Sequence, residues 1–186
     1  MNTSFGKIAA FFISLAVFVY LVLRAISVPF CNDEAVTFLT FVSDGNFVPF
    51  YNQLVWSANN HVLNSLLTWC SFSVFGPSEF ALRLPNLVAF VFYAWFVYNL
   101  SLLLNNQILQ WLLFLLLLIA PHYLLEFFAY SRGYGLSFSF LLGAVYFLIL
   151  ATKTSAPIRY VWFGLGFIVL ATAANLALLV SCIFWV

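Results

Sequence analysis

The chain has 186 residues, of which 66% are hydrophobic and only 6% are charged, and its formal net charge is +1. A mean hydropathy of +1.10 excludes an ordinary soluble domain, and the near-neutral charge excludes electrostatic binding of nucleic acid. The apolar runs are long and continuous rather than alternating, which indicates membrane helices and not a β-barrel. We therefore expect an all-α, polytopic helical membrane protein.

The first apolar run covers residues 8–28, with Lys7 before it and Arg24 near its end. It is long enough to span the bilayer, with the Arg24 side chain extending to the interface. A cleaved signal peptide is the alternative interpretation. The run is long for such a peptide, and Arg24 is badly placed beside a cleavage site, so we expect a retained helix.

Residues 29–82 hold four of the five acids and form a predicted external loop with two amphipathic helices at the membrane. One helix has an apolar face at Ala35, Phe38, Leu39 and Val42, and the other has a polar stripe at His61, Asn64, Ser65, Thr68 and Ser71. Both patterns have helical spacing. Such helices can lie in the membrane interface, but the second can equally be a short span whose stripe faces other helices.

Four further apolar runs follow at about residues 80–104, 108–120, 136–151 and 160–186, which brings the prediction to about five transmembrane helices. With the N-terminus in the cytoplasm, Lys7, Lys153 and Arg159 fall inside, and all acids and both histidines fall outside. The distribution of lysines and arginines alone gives only weak support for this membrane orientation. The segregation of the acids and histidines predicts that the polar chemistry of this integral membrane protein is collected on one face, the external one.

Asp33 and Glu34 are adjacent acids directly after the first predicted span. They have a purely local explanation if Asn32 caps a helix, because acids in the first turn interact favourably with the positive end of the helix dipole. A carboxylate near low-dielectric surroundings is also a competent general base for a hydroxyl or amine. The two interpretations are compatible, since a cap also fixes the carboxylate in place.

Glu79 and Arg83 lie four residues apart at the start of the second predicted span, after Ser78. Locally, Ser78 caps the helix and the two charges form a surface pair. Functionally, Arg83 at the mouth of a membrane cavity binds a phosphate or orients a carboxylate. Both interpretations remain open from the sequence.

The third group consists of His61 and a polar-aromatic segment that contains Arg132 and Tyr134. A lone histidine is more often structural than a ligand, and no H-x-x-H or H-E-x-x-H motif supports a metal site. Three scattered cysteines imply neither a zinc site nor a disulfide framework. Arg132 either extends to the interface or forms the second cation of an anion site. A divalent metal is a minority alternative.

The order of these motifs resembles the N-terminal part of the GT-C membrane glycosyltransferases, most closely the protein O-mannosyltransferase and aminoarabinose-transferase-like enzymes. The resemblance runs from about residue 5 to 155. It rests on Asp33-Glu34, Asn60-His61, the Gly76-x-x-Glu79-x-x-x-Arg83-Leu84-Pro85 segment and Tyr130-x-Arg132-x-Tyr134. Many relatives have His-Pro-Pro where this chain has His61-Val62-Leu63.

The resemblance implies transfer of a sugar from a polyprenyl-phosphate donor to a lipid, glycan or protein acceptor, without a bound cofactor. It implies that the transfer occurs at the external face of the bacterial cytoplasmic membrane, or alternatively at the lumenal face of the endoplasmic reticulum. It implies that Asp33, with Glu34 beside it, is catalytic. It places His61, Glu79, Arg83, Arg132 and Tyr134 at the substrate, with the arginines on phosphate. Residues 1–186 would then be the N-terminal transmembrane part of the module, without its C-terminal half. The alternative is a non-enzymatic membrane protein, either a transporter fragment or an assembly subunit.

Overall fold

The computed structural model describes residue 1 and residues 3–43, 61–120, 122–155 and 157–175. Over these ranges the protein is all-α, as predicted, with eight helices. They are α1 (Ser4–Ser27), α2 (Asn32–Phe41), α3 (Val62–Phe75), α4 (Glu79–Leu102), α5 (Gln107–Leu118), α6 (His122–Glu126), α7 (Tyr134–Lys153) and α8 (Pro157–Ala174).

Four helices of the described ranges, α1, α4, α7 and α8, are long and apolar enough to cross a membrane. The protein therefore has the build of an integral membrane protein. Of the predicted spans, the run at 108–120 forms only the 12-residue α5. Its length of about 18 Å is well below the hydrocarbon thickness of about 30 Å. The part of the last run beyond residue 175 lies outside the described residues.

Helix α4 is the centre of the bundle and packs against α1, α3, α5 and α7. Its buried side includes Leu87, Phe90, Tyr93 and Val97, which recur at helical spacing. The Phe90 ring stacks on Phe18 of α1, with 6.2 Å between the ring centroids. This central position fixes the start of α4, where the candidate site residue Arg83 lies.

The acids of the described residues lie at one end of the bundle with Arg24, Arg83 and Arg132, and the other charged residues lie at the opposite end. The start of α4 contacts the end of α1, so these helices are antiparallel, and Lys153 at the end of α7 donates to the carbonyl of Leu103 after α4. We call the two ends the acidic end and the basic end. The acidic end holds Asp33, Glu34, Glu79 and Glu126, and the basic end holds Lys7, Lys153 and Arg159. Which membrane face each end occupies stays a prediction.

The polar stripe of α3 faces the other helices, as one of the two interpretations of that segment predicted, and whether α3 spans the membrane stays a prediction. Pro85 has no N–H, so the carbonyl of Ala81 lacks its usual partner within α4. The Ser71 hydroxyl of α3 donates to this carbonyl at 2.5 Å, and Thr68 donates to the carbonyl of Leu82 at 3.4 Å. The stripe therefore completes the first turns of α4.

A tight connection holds α3 and α4 together as a hairpin. Gly76 has φ 78°, in the region that favours glycine. The Ser78 side chain accepts a hydrogen bond from the N–H of Ala81, which confirms the predicted cap. The hairpin thus places the start of α4 beside the polar face of α3.

Helix α2 differs from its prediction in two details. Its N-cap is Cys31 and not Asn32, because Cys31 has the extended backbone and its N–H donates to the Glu34 carboxylate three residues later. Its buried side is also rotated from the predicted face. Leu39 is 65% exposed, whereas Glu34 and Thr37 are buried. The inward side of α2 is therefore partly polar, since Glu34 has partners in the core.

Candidate functional site

The inner ion pair joins Glu34 of α2 to Arg83 of α4, and both side chains are fully buried. The guanidinium binds both carboxylate oxygens, with Nε to Oε1 at 2.9 Å and Nη2 to Oε2 at 2.7 Å. Its other donors reach the carbonyls of Ala25, Val28 and Pro29 at 2.8, 2.7 and 3.2 Å. All five N–H groups of the arginine are therefore used.

The Glu34 carboxylate is equally saturated, because it also accepts from the backbone N–H of Ser131 at 2.6 Å and of Cys31 at 3.1 Å. Burial by itself raises the pKa of this carboxyl. The hydrogen bonds from Arg83, Ser131 and Cys31 outweigh burial and hold the pKa below its usual value. Glu34 therefore stays ionised and has no free position for a substrate.

This geometry changes the interpretation of three predicted site residues. Arg83 was expected to bind phosphate at a cavity mouth, but it is buried and has no free donor. Glu34 was expected beside the catalytic base and instead anchors the core. The predicted Glu79–Arg83 pair is confirmed at 3.7 Å, with Glu79 half exposed. These three residues form the support of a site rather than its reactive surface.

The outer ion pair joins Asp33 to Arg132 at 3.3 Å, one residue away from the inner pair. The Asp33 side chain is 61% exposed and that of Arg132 is 11% exposed. The Arg132 guanidinium also lies over the ring of Tyr134, 5.5 Å from its centroid. A carboxylate and a cation are thus accessible side by side at the acidic end.

Ser131 links the two ion pairs and fixes the position of Arg132. Its N–H donates to Glu34, its carbonyl accepts from the Asn64 side chain at 3.3 Å, and its hydroxyl lies 3.3 Å from that of Thr68. Asn64 in turn accepts from Asn86 of α4 at 2.8 Å. Sequence reasoning missed Ser131, because two of its three contacts use backbone atoms and carry no residue-type signal.

Gly133 keeps the segment after Arg132 tightly packed. A Cβ atom at this position would lie 1.8 Å from the carbonyl oxygen of Ala174 and 2.8 Å from Cβ of His61. A glycine is therefore required by the close approach of α8 and not by its backbone dihedrals. The same packing brings His61 next to the outer pair.

His61 is 1% exposed, yet neither of its ring nitrogens has a hydrogen-bond partner among the described residues. Its ring contacts Tyr134 edge-on, at 5.1 Å between centroids. Burial first, and then the positive charge of Arg132, lower the pKa of His61 to about 4, with Asp33 opposing the shift. The imidazole is therefore neutral at pH 7, with one donor and one acceptor nitrogen unused.

The structure brings six of the seven predicted residues into one cluster and places Glu79 at its edge. A further ion pair that the sequence did not indicate joins Arg24 to Glu126 at 2.7 Å, outside this cluster. Across the described ranges, no three His, Cys, Asp or Glu side chains gather closely enough to hold a metal ion. The arrangement offers an accessible carboxylate, a cation and a neutral imidazole.

Comparisons with family models, with curated proteins and with solved structures returned no match to this chain. The resemblance to the GT-C glycosyltransferases therefore rests on the motifs alone.

Proposed function

We propose that this chain carries a glycosyl-transfer site of the GT-C type, in which Asp33 is the general base and Arg132 binds the donor phosphate. The donor is a sugar linked to polyprenyl phosphate, and the acceptor is a hydroxyl or amine at the membrane surface. The observation that supports this proposal best is the outer ion pair, because its acid and cation are both accessible at a bundle end.

The ion pair between Asp33 and Arg132 is weak enough that a bound substrate can separate the two side chains. An exposed ion pair contributes about 0.2–1 kcal/mol, whereas a hydrogen bond from arginine to phosphate is charge-assisted and frequently bidentate. A donor phosphate therefore competes well for Arg132. Its binding leaves the Asp33 carboxylate without its cation and available to accept a proton.

The transfer is a single displacement. The acceptor oxygen or nitrogen forms a bond to the anomeric carbon while its proton passes to the Asp33 carboxylate. The bond from that carbon to the phosphate oxygen breaks, and polyprenyl phosphate leaves with the electron pair and a negative charge. Arg132 stabilises this developing charge, which is the term expected to lower the barrier most.

His61 and Tyr134 fit the role of sugar contacts. A buried polar group without a partner costs about 1–3 kcal/mol, so the two free nitrogens of His61 are an unusual feature of the described structure. Sugar hydroxyls both donate and accept, as does a neutral imidazole. A bound sugar thus supplies the partners that His61 lacks.

The test uses the full chain in liposomes with a radiolabelled polyprenyl-phosphate mannose and a polyprenyl-phosphate aminoarabinose as donors. Release of polyprenyl phosphate reports turnover, and sedimentation of the liposomes with labelled protein checks insertion. Asp33→Asn should abolish turnover and leave donor binding intact. Arg132→Gln should weaken donor binding at least ten-fold, about 1.4 kcal/mol, as expected for a lost charge-assisted contact.

Arg159→Gln is the matched control, because it removes an arginine from the basic end that donates only to Tyr160 among the contacts of the described chain. It should bind and turn over the donor as the native chain does. A native chain that inserts normally but neither binds nor consumes either donor contradicts the proposal and favours a non-enzymatic membrane protein. Equal donor binding by Arg132→Gln and the native chain contradicts the phosphate assignment.

A further inference from the structure

A second feature is a groove between α1 and α4, which has a volume of about 430 Å³. It exists because small side chains face each other there. Ala10 and Ala94 line it and are both buried. Phe11 and Trp95 also line it and are 63% and 50% exposed, so their rings flank its opening. The groove is therefore apolar and open at the side of the bundle, where lipid lies.

The groove extends over about half the thickness of a bilayer. Lys7 lines one end, and the stacked rings of Phe18 and Phe90 line the other. Lys7 and Phe18 are eleven residues apart on α1, which is about 16 Å along the helix axis. One leaflet contributes about half of the hydrocarbon thickness of about 30 Å. The groove thus matches the depth to which one lipid chain extends.

The positive charge of Lys7 at the end of the groove determines which lipid head group binds best. Lys7 is exposed at the basic end, where Lys153 and Arg159 also lie. All four acids of the described residues lie at the acidic end, so no described carboxylate competes for the Lys7 ammonium. An apolar groove that ends at a cation is complementary to an anionic amphiphile.

We propose that the α1–α4 groove binds one acyl chain of an anionic phospholipid, whose phosphate lies at Lys7. A zwitterionic phospholipid offers the same chain but no net charge, so it binds less well. The site lies at the opposite end from the two ion pairs. It is therefore independent of the proposed glycosyl transfer, and either proposal can fail without the other.

The experiment places the full chain in nanodiscs with phosphatidylglycerol that carries a diazirine midway along one acyl chain. Photolabelled residues are mapped by mass spectrometry and compared with labelling by phosphatidylcholine that carries the same chain. Labelling of the groove residues of α1 and α4 should be about five-fold stronger with phosphatidylglycerol, the effect of roughly one basic residue at an anionic surface.

Lys7→Gln should abolish this preference, and Lys153→Gln should retain it, because Lys153 lies at the same end but does not line the groove. Ala94→Leu should reduce labelling by both lipids, since the larger side chain fills the groove. Equal labelling of the native groove by the two lipids overturns the proposal. So does a preference that survives Lys7→Gln or that Lys153→Gln abolishes to the same degree. Lys7 is exposed, so its variant keeps the test valid if Ala94→Leu does not fold.

Discussion

The two ion pairs of α2 begin at neighbouring residues and differ in their burial and in their hydrogen bonding. Glu34 is buried with Arg83 and accepts four hydrogen bonds, whereas Asp33 is 61% exposed and meets the 11% exposed Arg132 at 3.3 Å. Consecutive residues on a helix point about 100° apart, so one short helix directs one acid into the core and the next outward. Position on the helix, and not residue type, separates the two roles.

The difference teaches that the inner pair holds the segment on which the outer pair depends. Glu34 binds the N–H of Ser131, and the next residue is Arg132. Breaking a buried pair by removing one partner costs about 3–5 kcal/mol, against about 0.2–1 kcal/mol for an exposed pair. The inner pair is therefore expected to govern stability, and the outer pair is free to exchange its partners.

The largest expected effect comes from Glu34→Gln, which leaves Arg83 charged and buried, with only the half-exposed Glu79 carboxylate at 3.7 Å as a counter-ion. We expect a loss of about 3–5 kcal/mol in the free energy of unfolding. The measurement is denaturant unfolding of the purified chain in detergent micelles. Glu79→Gln is the control, since its carboxylate faces the same arginine at 3.7 Å but is half exposed, and it should cost no more than about 0.5 kcal/mol. Similar losses for the two variants would contradict the comparison.

The second effect concerns pH and sharpens the description of the outer site. The pKa of His61 is about 4 in the folded protein and 6.5 in its ordinary state, so the unfolded chain binds the proton first as the pH falls. The contribution of His61 to the free energy of unfolding should therefore be fully present above pH 6.5. It should be lost as the pH falls towards 4, by at most about 3 kcal/mol. His61→Gln should remove this part of the pH profile, measured by the same unfolding assay. A variant profile as steep as the native one from pH 6.5 to 4 would contradict the neutral, buried imidazole.

The third effect breaks the packing between the outer pair and α8. Gly133→Ala places a Cβ atom 1.8 Å from the carbonyl oxygen of Ala174, and we expect a loss of about 1–3 kcal/mol. Gly166→Ala is the matched control, because no atom lies within 4 Å of its added Cβ. Alanine in place of glycine at that helix position should raise the free energy of unfolding by up to about 1 kcal/mol. Equal stability of the two variants would show that the close approach at Gly133 is absent.

The smallest effect on stability is expected from Asp33→Asn. The Asp33 carboxylate is 61% exposed, so the free energy of unfolding should fall by less than about 1 kcal/mol, and less still in high salt. The same substitution is expected to abolish sugar transfer. A loss as large as that of Glu34→Gln, measured side by side in micelles, would place Asp33 in the core instead.

Local patterns predicted the parts of this structure that depend on short sequence separations. The four long apolar helices, the polar stripe of α3, the Ser78 cap and the Glu79–Arg83 pair all follow from residues within one helix or its first turn. The inner pair does not, because 49 residues separate Glu34 from Arg83. The sequence indicated that both were important but could not show that they bind each other and leave no free donor.

The contacts of Ser131 and the Arg24–Glu126 pair were beyond sequence reasoning for the same reason. Glu126 lies 102 residues from Arg24, and Ser131 contributes backbone atoms that every residue has. The run at 108–120 was also counted as a span, although its helix α5 has only 12 residues, because apolar composition does not by itself show whether a short helix crosses the membrane. Tertiary packing determines the contacts of Ser131 and the Arg24–Glu126 pair.

The carbonyl of Ala81 has a consequence for biosynthesis. Pro85 deprives it of an N–H partner, and within the described residues the hydroxyl of Ser71 in α3 replaces that partner. Carried into hydrocarbon alone, α4 would expose an unsatisfied carbonyl at a penalty of several kcal/mol. Because α3 leaves the ribosome first and is joined to α4 by a turn of three residues, the pair is suited to enter the translocon's lateral exit together, as one inserting unit.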